Sequence, residues 1–170
     1  MEFSPILNRK YLNSDINYNL CKSAMIGDLI KFKEYILKGA NINYQDPKAG
    51  YSVLHCASGN GYHNIILYML SFKNLNINCI NSTGRTPLHF ASRIGNIKCI
   101  QLLVSGGGNV NIQDNEGQTC LHLCARLNHI STLNYLLSIG ANKYIYDKNN
   151  LLPLNLAQNE NNIEIIKLLL

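Results

Sequence analysis

Residues 82–114 read STGRTPLHFASRIGNIKCIQLLVSGGGNVNIQD, and residues 115–147 read NEGQTCLHLCARLNHISTLNYLLSIGANKYIYD. Aligned without gaps, the two segments share a Gly, a Thr, a Leu-His pair and a leucine-rich second half, so the chain repeats itself. Working outward, Leu20, Leu54, Leu88, Leu121 and Leu154 stand 34, 34, 33 and 33 residues apart, and Gly27, Gly61, Gly95, Asn128 and Asn161 keep the same intervals. A third series, Gly50, Gly84, Gly117 and Asn150, lies four residues before the last four of those leucines. A tight turn with positive φ wants Gly or Asn at such a place. The series predict about five repeats, over roughly 16–46, 47–81, 82–114, 115–147 and 148–170, behind an N-terminal extension of residues 1–15.

One period reads as two short helices and a turn. Thr86 is placed to cap a helix whose first turn holds Pro87, which needs no amide partner there, and Leu88, Ala91 and Ser92 share one face. Gly95 ends that helix. Ile97, Ile100, Leu102, Leu103 and Val104 mark a second one, and Gly106–Gly108 lets the chain leave toward a projecting turn at Asp114. Isolated helices shorter than about 12–15 residues are marginal, so each pair must bury its apolar face against its neighbours. The expected fold is therefore all-α, a solenoid of stacked helix-turn-helix repeats with finger-like β-turns and no central sheet.

With its G-x-TPLH-x-A opening, Leu-Leu second helix and G-A-x-x-N ending, the sequence resembles the ankyrin-repeat family from about Asn19 to Leu170. The departures are local. The first repeat has NLCK, Asn19–Lys22, in place of the TPLH segment, as suits a terminal repeat facing water. The second reads SVLH and has Lys73–Asn74 where Gly-Ala is usual, with an extra residue before Asn76, so its exit loop is expected to be irregular. The last lacks a polar cap: either the stack continues beyond Leu170, or Leu168–Leu170 fold inward against the fourth repeat. Over Asn111–Ala157, notably NIQDNEGQT and ANKYIYDKNNLLPLNLA, the chain is also similar to the gankyrin-type branch of the family, which assembles the regulatory particle of the proteasome.

Composition narrows the function classes. The 46% hydrophobic and 15% charged residues describe a folded, soluble protein, and no stretch approaches the roughly 18 apolar residues of a membrane span. The opening MEFSPILNRKYLNSD lacks the basic-then-apolar order of a secretory signal, so the cytosol, or the nucleus, is the expected compartment. Net charge is +5 and spread along the chain, without the basic clusters of nucleic-acid binders, which leaves nucleic acid out and favours an acidic partner. The 25 asparagines fit an AT-rich coding bias.

Chemistry finds few candidates. Cys21, Cys56, Cys79, Cys99, Cys120 and Cys124 are read as buried thiols packing as small apolar groups. His55, His89 and His122 occupy one slot of three repeats, about 10 Å apart, too far to share an ion. The resemblance implies that each bonds the backbone of the neighbouring turn. Cys120 and Cys124 with His122 and His129 come nearest to a metal constellation, but the i, i+2, i+4 spacing turns His122 away from the thiols. No GxSxG, Walker loop, HExxH or Cys-His nucleophile pair occurs, so neither catalysis nor a cofactor is expected.

The resemblance implies a concave surface formed by first helices and turn tips, and a role in binding other proteins. The variable slots there nominate Lys48, Tyr51, Arg85, Phe90, Arg93, Glu116, Gln118, Leu123 and Arg126. Phe90 and Leu123 are expected either as apolar anchors beside the arginines or as half-buried packing between first helices, since aromatic and Arg residues dominate interface energetics. The expected assembly is a monomer with an acidic protein partner. The alternatives are a gankyrin-like assembly chaperone and the regulatory module of a larger enzyme or membrane protein.

Overall fold

A computed structural model describes residues 15–170, so the extension expected over 1–15 lies outside the described residues apart from Asp15. Ten short helices follow one another: α1 (Ile16–Ile26), α2 (Leu29–Leu37), α3 (Val53–Gly59), α4 (His63–Met69), α5 (Pro87–Ile94), α6 (Ile97–Ser105), α7 (Cys120–Arg126), α8 (Ile130–Ser138), α9 (Pro153–Asn159) and α10 (Ile163–Leu169). They pair into five antiparallel hairpins, and the described residues contain no strand beyond an isolated bridge between Gln45 and Ser52. No described helix is long and apolar enough to cross a membrane.

Short polar side chains start many of these helices. Asp15 accepts the Asn17 amide at 2.8 Å, Ser52 the His55 amide at 3.1 Å and Asn96 the Cys99 amide at 3.1 Å. Left-handed residues stop the odd-numbered helices or follow one residue after their caps: Gly27, Gly61, Gly95, Asn128 and Asn161 all have positive φ, between 56° and 78°. The periodic leucines supply the core. Leu20, Leu54, Leu88 and Leu121 are at most 1% exposed, while Leu154, in the last hairpin, is only half-buried.

The odd helices form one layer and the even helices another. Ala57, Ala91, Cys124 and Ala157 recur three residues after the leucines and are fully buried. These small side chains let α3, α5, α7 and α9 approach closely, more so than the even helices, and the stack curves toward the odd layer. Fingers link in the same direction, Asn115 N donating to Thr83 O at 2.9 Å and Lys148 N to Glu116 O at 3.0 Å. Gly117 shows why a finger tip needs glycine. Its φ is +75°, and a Cβ there would stand 2.8 Å from the Lys148 amide. In the last hairpin Asn150 takes the same conformation, φ 57°, with no described finger stacked beyond it.

The second hairpin leaves its helix differently, as its sequence anticipates. After α2, α6 and α8 a positive-φ glycine (Gly39, Gly107, Gly140) is followed by a wide backbone bond, such as Ala141 N to Leu136 O at 3.0 Å. Lys73 holds that place after α4, and the chain turns instead through short steps from Ser71, Phe72 and Leu75 to the carbonyls three residues back. At the far end only Leu169 folds inward, 4% exposed, with its carbonyl accepting Lys143 Nζ at 2.7 Å; Leu168 and Leu170 point outward.

Candidate functional site

The histidine slot is structural. His55 Nδ1 accepts the Ser52 amide at 3.0 Å, and the same bond joins His89 to Thr86 and His122 to Thr119 at 3.1 Å. Nδ1 is therefore unprotonated, so Nε2 carries the hydrogen and donates to the next repeat: His55 to Arg85 O at 2.8 Å, His89 to Gln118 O at 3.0 Å, His122 to Leu151 O at 3.1 Å. Burial pushes all three below the ordinary imidazole value, His55 to about 4. Cys21 stands where the first repeat would have this His, and Asn155 replaces it in the last, accepting the Leu152 amide at 2.9 Å.

Five of the thiols are pushed away from the reactive thiolate form. Burial raises Cys99 to about 11 and Cys120 to about 12, and pushes Cys124 higher still; Cys21 rises first through its hydrogen bond with Cys56 and then through burial. All six are buried and unbridged. His129 turns away from Cys120 and Cys124, its Nε2 bonding Arg93 O at 3.0 Å.

The concave face is a different matter, because its side chains serve the frame only in part. Arg93 and Arg126 occupy one slot at the ends of α5 and α7, and both are half-buried. Their helix ends are fixed from the next repeat: His129 holds Arg93 O, and Asn162 Nδ2 holds Ala125 O at 2.8 Å and Arg126 O at 3.3 Å. The Arg93 guanidinium lies 5.8 Å from the Phe90 ring centroid, a cation–π arrangement. Arg85 sits at the opposite end of α5, its Nε donating at 2.9 Å to Asp114 Oδ2. That carboxylate is 1% exposed, and its other oxygen accepts the Glu116 and Gln118 amides at 2.9 Å.

Of the nominated residues, Lys48 and Glu116 are exposed at finger tips, and Tyr51, Arg85, Arg93 and Arg126 are half-buried along the face. Gln118, Phe90 and Leu123 are buried, at 8%, 5% and 1% exposure, so the two apolar residues take the packing alternative and are not exposed anchors. Phe90 leans back over the preceding repeat, edge-on to Tyr51 at 5.6 Å and His55 at 5.2 Å. Sequence reading missed Asp114 as the partner of Arg85. The recurrence of Asp46, Asn81, Asp114 and Asp147 in successive fingers signals their part in the turn, and not that pairing.

A stack of helix pairs tied by bonds that recur from repeat to repeat, with a face of residues that vary between repeats, defines a class of repeat proteins built for contact with other macromolecules. The family model for ankyrin repeats (3 copies) matches residues 20–114 and again 95–170. The chain belongs to the ankyrin-repeat family. It is 35% identical over 71 residues to a putative ankyrin repeat protein, R96, of Acanthamoeba polyphaga mimivirus, which is 42% of this chain and 7% of that protein. It is 30% identical over 105 residues to a probable E3 ubiquitin-protein ligase, XBOS33, of Oryza sativa subsp. japonica, 62% of this chain and 20% of the relative. Against the palmitoyltransferase Hip14 of Drosophila melanogaster it is 27% identical over 93 residues, 54% and 14% of the two chains. The chain thus spans a fifth or less of the length of these relatives.

Proposed function

We propose that this chain is a non-catalytic module that binds an acidic protein partner through the concave face, acting as a monomer in the cytosol or nucleus. The observation that carries this reading is that Arg93 and Arg126 hold one half-buried slot at the ends of α5 and α7, with the half-buried Arg85 just before α5. Asp114 and Asp147 are buried in finger turns, which leaves Glu116 as the exposed acid of the central fingers. Ankyrin repeats as a family serve protein–protein contact, and six buried, unbridged thiols suit a reducing compartment.

The likeness to gankyrin-type proteins is carried largely by frame residues. Gln113 Nε2 bonds Gly117 O at 2.7 Å and Tyr146 O at 3.0 Å, Asp114 and Asp147 build the finger turns, and Thr119 serves His122. These bonds recur in other repeats of the chain, as Gln45 Nε2 to Gly50 O and Thr86 to His89 do, so they support the family more than a proteasomal role. A second reading, the regulatory module of a larger enzyme or membrane protein, is supported by the small share of XBOS33 and Hip14 that the chain matches.

The test is a pair of affinity captures, one with the native protein and one with Arg93→Glu/Arg126→Glu. Single exposed ion pairs contribute only about 0–1 kcal/mol, but reversal adds repulsion against the same partner, so binding should weaken by more than about tenfold and fall with added salt. Arg93→Glu also removes the stacking on Phe90, so the melting temperature should fall by a few degrees while the protein stays folded, and Arg126→Glu alone should weaken binding in the same direction. Equal retention of every captured protein by the variant would move the interface off this face, most plainly to Lys31, Lys33 and Glu34 on α2.

A further inference from the structure

We infer that a groove where α4 and α6 end takes a bulky aliphatic side chain of an acidic protein segment, with a neighbouring carboxylate of that segment paired to Lys73. The groove encloses about 290 Å³ and shares no residue with the concave face, so it is a second contact surface. Two departures from the repeat open it. Lys73 stands where the other exits have a positive-φ glycine, and the chain leaves α4 by short turns that keep Leu70, Phe72, Leu75 and Ile77 half-buried. Against them lies Gly106, in the slot that Lys38, Phe72 and Ile139 fill in other repeats. Its φ is −82°, so the backbone does not require glycine there, but a Cβ would strike Ile77 Cδ1 and Leu70 Cδ2. The bare glycine keeps the groove open.

Size and charge choose the occupant. Pockets for cofactors and drug-sized ligands enclose about 300–1,000 Å³, so an open groove of this volume suits one side chain of a protein, the kind of anchor on which interfaces turn. Between Asp46 and Asp114 the sequence holds no Asp or Glu, while Lys48, Lys73, Arg85, Arg93 and Lys98 fall in that stretch; these five cations equal the net charge of +5. Lys73 is exposed on the rim of the groove and forms no ion pair with a described residue. An acid beside the apolar anchor therefore meets an unopposed ammonium, whereas a Lys or Arg at that place would be repelled.

The experiment titrates the labelled protein at low salt with short peptides centred on Glu-Leu-Glu, Glu-Ala-Glu or Lys-Leu-Lys, and follows amide chemical shifts. The Glu-Leu-Glu peptide should bind about tenfold more tightly than either of the others, with its largest shifts at Lys73, Leu75, Ile77 and Gly106. Lys73→Glu should turn the preference toward Lys-Leu-Lys at an unchanged melting temperature, because that side chain is exposed. Gly106→Ile, which copies Ile139 of the equivalent slot, should erase the preference for leucine over alanine. Equal binding of the three peptides by the native protein, or a charge preference that survives in Lys73→Glu, would overturn the inference, and neither result depends on the glycine variant. Shifts gathered at Arg85, Arg93 and Arg126 instead would also overturn it while leaving the concave-face reading in place. If the groove responds as expected but Arg93→Glu/Arg126→Glu releases no captured partner, the groove stands and the concave-face reading falls.

Discussion

Leu88→Ala or Leu121→Ala lowers the unfolding free energy by about 2–5 kcal/mol in urea titration, because each leaves a cavity between repeats. Both leucines are 1% exposed and lie in the continuous core that α3, α5, α7 and α9 share. Small domains hold only about 5–15 kcal/mol in total, and a repeat stack transmits stability through nearest-neighbour contacts, so an interior cavity weakens two junctions at once. The half-buried Leu154 at the equivalent place of the last hairpin provides the internal control. Leu154→Ala should cost clearly less. A loss below about 0.5 kcal/mol at Leu88 would contradict its placement.

Acid should unfold this protein well before carboxylate protonation alone would do so. The folded chain holds His55 near pKa 4, with His89 and His122 also lowered, whereas the unfolded chain titrates them near 6.5. Between those values the unfolded state binds more protons, so stability rises with pH: it is complete above about pH 6.5 and is lost as pH falls toward 4. For His55 alone the loss amounts to about 3 kcal/mol. Protonation also ends the Nδ1 bond that caps α3. Asn155 supplies the control, since it fills the same slot without titrating. His55→Asn should lose about 1 kcal/mol at pH 7, for the missing bond to Arg85 O, yet show a flatter decline between pH 6.5 and 4. Parallel pH curves for the two proteins would show that His55 is not the group responsible.

Much of the fold is legible in the residues because a repeat states its requirements several times over. Gly50, Gly84, Gly117 and Asn150 mark a left-handed backbone position, and all four adopt it. His55, His89 and His122 each reach the neighbouring finger as the resemblance implied, since cap and carbonyl recur with the period. The face was harder to read. A variable slot shows which residue stands there but not which neighbour it fills against, and Phe90 is buried against the Tyr51 and His55 rings of the repeat before it. Asp114 was hidden for the converse reason: its part in the finger turn recurs, while its pairing with Arg85 occurs once. At the terminus, three consecutive leucines on one helical turn cannot all face inward, and only Leu169 does.

The most direct test of the central claim, that the concave face and not the frame meets the partner, is amide chemical-shift mapping of the labelled protein titrated with a captured partner. Shifts are expected at Tyr51, Arg85, Arg93 and Arg126, with α2, α4, α6 and α8 silent. Shifts confined to Lys31, Lys33 and the even helices, with the arginines unmoved, would contradict it.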